Sequence, residues 1–234
     1  MTEPAASTAF SHVASLGRRC RTTHRLRRFF GFDTAFPFDW WITPLDGAVR
    51  FLRDWDLDRL YDPARLREVR RRGRLAFIEH ADYAIRLQHE FPMDARETVL
   101  PGWGAAIPEA RARTAHLMDK FDRLDRPDRR ILFVRELARE EEGETALIAD
   151  LREAALAHAP RAEAAFLLIS PGGVAADGWI SLGIDDPVER PWTGDADLWD
   201  RALAGLGLRF ERPPGWGRPA GAAASVSDPA PPSR

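Results

Sequence analysis

The 234-residue chain contains one cysteine, Cys20, within the run SLGRRCRTTHRLRRFF from Ser15 to Phe30. An apolar, strand-like stretch, SHVASLG, ends at Gly17. From Arg21 to Phe30 the pattern is helical, with Leu26, Phe29 and Phe30 as its apolar positions and Gly31 as its stop. A thiol at this junction would meet the unpaired N–H groups and the positive dipole end of the helix, with Arg18, Arg19 and Arg21 adding charge. Each of these favours a thiolate, so the setting predicts a pKa below the ordinary value of about 8.5. The same N–H groups suit a developing oxyanion. The alternative is a small buried hydrophobe, the fate of most single cysteines.

A nucleophilic thiol needs a base. His24 would share the helix face of Cys20, but it sits in an arginine-rich surface pattern. His12 falls in the first strand, His116 and His158 in helices, and His80 at a strand end. His89 stands out. In YAIRLQHEF (83–91) it falls with Ile85, Leu87 and Phe91 on the apolar, core-facing side of an alternating strand. A third group would orient the imidazole through its other nitrogen. Asp39 in FPFDWW lies among aromatics able to exclude water; Asp94 follows His89 by five residues; Glu90 adjoins it but would point to the opposite face. Spacing does not choose among these carboxylates. Ser15, Gly17, Trp40 and Asp94 are the candidate binding positions around the thiol.

The elements that must hold these residues alternate between strand and helix patterns. After the aromatic loop FDTAFPFDWWITP, Pro44 opens the helix LDGAVRFLRDW, and the basic run RLREVRRRGRL (65–75) reads as a solvated helix face. Segments 74–80 and 83–91 read as an antiparallel hairpin. A helix opened by Pro108 then runs to about Leu124, followed by a buried strand at 130–137, a helix at 142–159, strands at 162–170 and 178–184, and a last helix at 195–207. This order predicts a three-layer α/β fold with a mainly parallel central sheet plus a hairpin. Residues 1–10 read as a disordered lead, 11–211 as one domain, and 212–234 as a disordered Pro/Ala/Gly-rich tail.

Composition narrows the functional classes. A formal net charge of −2 leaves no footprint for nucleic acid or a membrane surface. The basic residues are arginines apart from Lys120, a bias that reflects GC-rich coding rather than guanidinium chemistry. One cysteine excludes an internal disulfide and any cysteine-based zinc site, and no secretory signal or membrane span is recognisable. A cytoplasmic protein is the expectation. No Gly-rich phosphate loop occurs; SPGGV (170–174) lacks the remaining glycine and the lysine and reads as a turn. The acidic run REEEGE (139–144) is a helix start rather than a cation site, and Trp103, Trp179, Trp192 and Trp199 suit core packing better than a groove. No cofactor or metal is called for, and the oligomeric state is not legible.

In this order, SLGRRC, FPFDWW, YAIRLQHEF and ILFVRE resemble a bacterial family, a domain of unknown function described as papain-like cysteine peptidases. The resemblance spans about Val13 to Trp199, and its first two motifs are the specific ones. It implies Cys20 as nucleophile, His89 as base and Asp39 at the acidic position of the loop motif, with a papain-like α+β arrangement as the alternative fold. Two positions depart from the family pattern: Ala84 stands where glycine is usual, and Glu90 where aspartate is. The resulting expectation is a cysteine hydrolase or acyl/amide transferase working through an acyl-enzyme on a peptide, amide or acyl substrate. The competing expectation is a non-catalytic α/β module that binds a glycan, nucleotide-sugar or peptide.

Overall fold

The computed structural model describes residues 9–71, 74–87, 89–186 and 194–212. The lead before residue 9, the tail from 213 and Trp192 lie outside them. In chain order the elements are β1 (Ala9–Phe10), β2 (His12–Ser15), α1 (Cys20–Phe30), α2 (Leu45–Asp54), α3 (Leu57–Leu60), β3 (Leu66–Arg71), β4 (Arg74–His80), α4 (Ile107–Asp122), β5 (Arg130–Glu136), α5 (Thr145–His158), β6 (Glu163–Ser170), β7 (Ile180–Gly183), α6 (Ala196–Ala204) and β8 (Arg209–Phe210).

The central sheet has the order β2-β5-β6-β7, every pair parallel. Its middle strands, ILFVRE and AAFLLIS, are apolar on both faces, as a sheet covered on both sides requires. Ile131, Phe133, Phe166 and Leu168 join one core with Phe51 of α2, Phe121 of α4 and Leu151 of α5. Leu132, Val134, Leu167 and Ile169 face the other way, onto Leu26 of α1 and Trp199 of α6. The result is the expected three-layer α/β arrangement, with an antiparallel hairpin beside it.

β4 is paired on both sides, with the expected segment after it over a few residues and, along its length, with β3, the segment read as a basic helix face. Its arginines are strand residues: Arg67 stands opposite Glu79 and its guanidinium bonds that carboxylate across the pair. The expected partner segment pairs with β4 too, over a shorter stretch: Arg86 bridges Glu79, and also Ile42. The His80 N–H donates to the Ile85 carbonyl and the Leu87 N–H to the Ile78 carbonyl, both at 2.8 Å. Tyr83 and Ala84 make the turn between these two segments, the Ala84 N–H donating to the His80 carbonyl at 2.8 Å. Ala84 takes φ +52°, a left-handed conformation that glycine adopts without penalty.

Candidate active site

Cys20 is the first residue of α1, directly beyond the C-terminal edge of β2, and it is half-buried. The loop before it is built from Ser15 and Gly17. The Ser15 hydroxyl accepts from the Gly17 N–H at 3.1 Å. Gly17 has φ +90°, and a Cβ there would lie 2.9 Å from Arg135 Nη1 and 3.2 Å from the Thr43 side chain. Only glycine fits both the backbone and the space. Ser15 and Gly17, expected as binding positions, thus shape the turn that delivers the thiol.

Two consecutive residues at the end of β5 fasten this turn from below. Arg135 is fully buried and donates to the carbonyls of Leu16 (3.0 Å) and Thr43 (3.1 Å), with Glu141 as its ion-pair partner at 3.1 Å. Glu136 accepts from Arg21 at 2.8 Å and from the Thr22 hydroxyl, holding the first turn of α1. The N-terminal half of this helix therefore docks through buried polar side chains, Arg21, Thr22, Thr23 and Arg25, with Leu26 as its first apolar anchor. Charge-assisted bonds of this kind contribute about 1.5–3 kcal/mol each, and an orphaned partner is costly. In the sequence, ILFVRE reads only as a buried strand. The signal that it does more is a pair of adjacent charges closing an otherwise apolar run.

The FPFDWW loop lies against the same helix. Phe36, Phe38 and Trp41 are fully buried, and Trp41 packs edge-on against Phe38 and Phe51. Asp39 is buried with both oxygens engaged: one accepts from Thr23 (3.0 Å), the other from Arg27 (3.1 Å) and the Phe36 N–H (2.9 Å). Burial pushes its carboxyl upward in pKa, against Arg27 and these bonds. No described contact joins Asp39 to His89. Asp39 ties the loop to α1, and Cys20, Thr23 and Arg27 share one face of that helix by spacing.

Trp40 continues from this anchor. The Arg27 guanidinium lies 5.3 Å from its ring, and His89 meets it edge-on at 6.2 Å. The antiparallel exchange between Ile42 and Arg86 (3.1 and 2.9 Å) carries the chain toward His89 alongside Trp40. Gly47 of α2 permits the approach, since a Cβ there would lie 2.0 Å from the Tyr83 carbonyl oxygen. His89 itself is exposed, which corrects the expected core-facing imidazole. Phe91 is buried as expected, but so is its neighbour Glu90, which breaks the alternation. Glu90 accepts from Trp41 Nε1 at 2.9 Å and pairs with Arg113 at 3.4 Å. Asp94 makes the next turn, accepting from the N–H groups of Arg96 and Thr98. This turn holds Glu97, the carboxylate whose charge reaches His89.

The direction of the thiol's pKa differs from the depressed value expected. Burial pushes the Cys20 thiol above its ordinary pKa; the N–H groups of Arg21 and Cys20 and the Arg19 charge act against the rise, and Glu136 adds to it. Desolvation thus outweighs the helix terminus that the sequence brought forward. Although the His89 side chain reaches solvent, desolvation by the surrounding protein holds it below the usual histidine value, opposed by Glu97. At neutral pH the two groups rest as thiol and neutral imidazole. No hydrogen bond or ion pair joins them among the described residues.

Trp179 and Trp199 are core residues, while Trp103 is half-buried and donates to Glu68 at 3.1 Å. Among the described residues, no cluster of three or more His, Cys, Asp or Glu side chains could hold a metal ion, and no helix is long and apolar enough to cross a membrane. Neither the curated proteins nor the solved structures contain a significant match to the chain. One family model does match, over residues 11–170, and its span includes the SLGRRC turn, the FPFDWW loop, His89 and β5. With two thirds of its length so matched, the chain belongs to the family described as "Putative papain-like cysteine peptidase (DUF1796)".

Proposed function

We propose that this chain is a cysteine hydrolase or acyl transferase in which Cys20 attacks an amide, ester or thioester carbonyl. The observation that carries this reading is the half-buried thiol at the first position of α1, beside the N–H groups of Cys20 and Arg21 and held from below by Arg135 and Glu136. With thiol and imidazole both neutral at rest, His89 acts as a general base: it takes the Sγ proton as the C–S bond forms, then gives it to the leaving group. The helix-terminal N–H groups receive the oxyanion. Water or an acceptor amine resolves the acyl-enzyme.

Intact-mass trapping with activated thioesters and esters tests this. The expected result is a single acyl adduct, absent from Cys20→Ala and formed about 100-fold more slowly in His89→Ala. The raised thiol pKa also favours a second reading, a non-catalytic module that binds a glycan, nucleotide-sugar or peptide. That reading prevails if no adduct forms and Cys20 reacts with iodoacetamide only on unfolding.

A further inference from the structure

β2 and β5 run in parallel from His12 and Ile131 toward Ser15 and Val134, so Cys20 lies beyond the C-terminal edge of the sheet. At the opposite edge is a cavity of about 400 Å³, lined by His12, Asp33, Thr34, Lys120, Arg123 and Arg129 with Phe36 and Leu124. That size lies within the range of small-molecule sites, about 300–1,000 Å³. Three cationic side chains face one carboxylate, Asp33, and His12 is held neutral by burial and by Arg129. Among the lining side chains alone, positive charges outnumber negative by two, with Asp119 and Asp128 just outside the lining against Arg123 and Arg129, and Arg212 4.0 Å from Asp33.

The three cations are unequally committed. Arg123 pairs with Asp119 at 2.8 Å on the surface. Arg129 donates through Nη1 to His12 at 2.9 Å, and Asp128 lies 3.9 Å from its Nε, beyond hydrogen-bond range. Lys120 is half-buried and makes no hydrogen bond or ion pair among the described residues; the charges nearest it in effect are Asp39, Arg27 and Asp33. It is also the one lysine among 34 basic residues. A compact ammonium with three rotatable donors adapts to an oxyanion, while a guanidinium needs a planar fork.

We propose that this cavity is a second binding site, separate from Cys20, for a small molecule bearing a phosphate monoester, with Lys120 and Arg129 on the phosphate, Arg123 at the rim, and Phe36 and Leu124 against its apolar body. A dianion matches the surplus charge of the lining.

Calorimetry with inorganic phosphate and with phenyl phosphate tests the site. Both bind wild type at millimolar concentrations, phenyl phosphate more tightly; Lys120→Gln weakens both by about tenfold, the loss of one charge-assisted contact. Lys120→Arg restores part of the affinity, and Cys20 labelling is unchanged in both variants. Because the chain has one lysine, its side-chain modification by trinitrobenzenesulfonate can be followed by peptide mass. Phenyl phosphate should slow that reaction in wild type, a readout that survives if a variant fails to fold. Absence of heat and of protection overturns the proposal, as does binding undiminished in a folded Lys120→Gln.

Discussion

His12 gives a quantitative test of how the sheet edge is assembled. The ring is 5 % exposed, with Nε2 2.9 Å from Arg129 Nη1 and Nδ1 2.8 Å from the Ser11 hydroxyl. A guanidinium only donates, so Nε2 must present its lone pair and Nδ1 must carry the proton. Adding a second proton would set two donors against each other in a desolvated site. Burial first, and the Arg129 charge second, lower the pKa from 6.5 to about 4. A folded-state pKa below the unfolded one stabilises the protein above pH 6.5, and that stability drains away as pH falls through 4. The difference corresponds to about 3 kcal/mol. In His12→Gln an amide oxygen accepts from Arg129 without titrating. Urea unfolding should therefore show wild type losing about 3 kcal/mol more than His12→Gln between pH 7 and pH 4, or about 6–12 °C in Tm. His24, His80 and His89 are also lowered by burial, but they are common to both proteins and cancel in the comparison. Equal losses in the two proteins, or an NMR titration of the His12 ring near 6.5, would refute the reasoning.

Glu136→Gln removes the negative charge that adds to the Cys20 pKa, while an amide oxygen remains for Thr22 or Arg21. The pH profile of iodoacetamide labelling should move toward acid, and the fold should lose about 1–3 kcal/mol because Arg21 keeps its bond to the Asp186 carbonyl. A profile that stays in place shows that Glu136 does not act on the thiol. Gly17→Ala forces a left-handed alanine against a fully buried guanidinium, at a cost of about 2–4 kcal/mol. Thermal unfolding within 2 °C of wild type, about 1 kcal/mol or less, would mean that Arg135 yields freely.

The layered sheet was legible in the sequence because its strands are apolar on both faces and its helices carry local boundary signals, Pro44 opening one and Gly31 ending another. The pairing of β3 with β4 was not. Nothing local to 65–75 shows that Arg67 will stand opposite Glu79 on a paired strand, so charge density read as solvation. For His89, alternation carried the right segment but failed at its end, where Glu90 finds Trp41 and Arg113 and displaces the imidazole outward. The Cys20 setting was read from helix electrostatics alone. The opposing term, desolvation between α1 and β5, exists only once distant residues meet. The same holds for Arg135 and Glu136, whose bonds to Thr43 and Arg21 span more than 90 positions.

β1 and β8 pair two residues with two, and the pair joins Ala9 to Arg209 and Phe10 to Phe210. So short a ladder must close a loop of some 200 positions. Each doubling of loop length adds only about 0.6 kcal/mol to closure, but a chain leaving the ribosome cannot begin that closure until β8 has emerged. The sheet, with β6 already beside β5, can assemble earlier. The pair would then act as a latch, closing last during synthesis and opening first in native-state hydrogen exchange, with the Glu211 N–H, bonded to the Phe10 carbonyl at 2.8 Å, as its reporter.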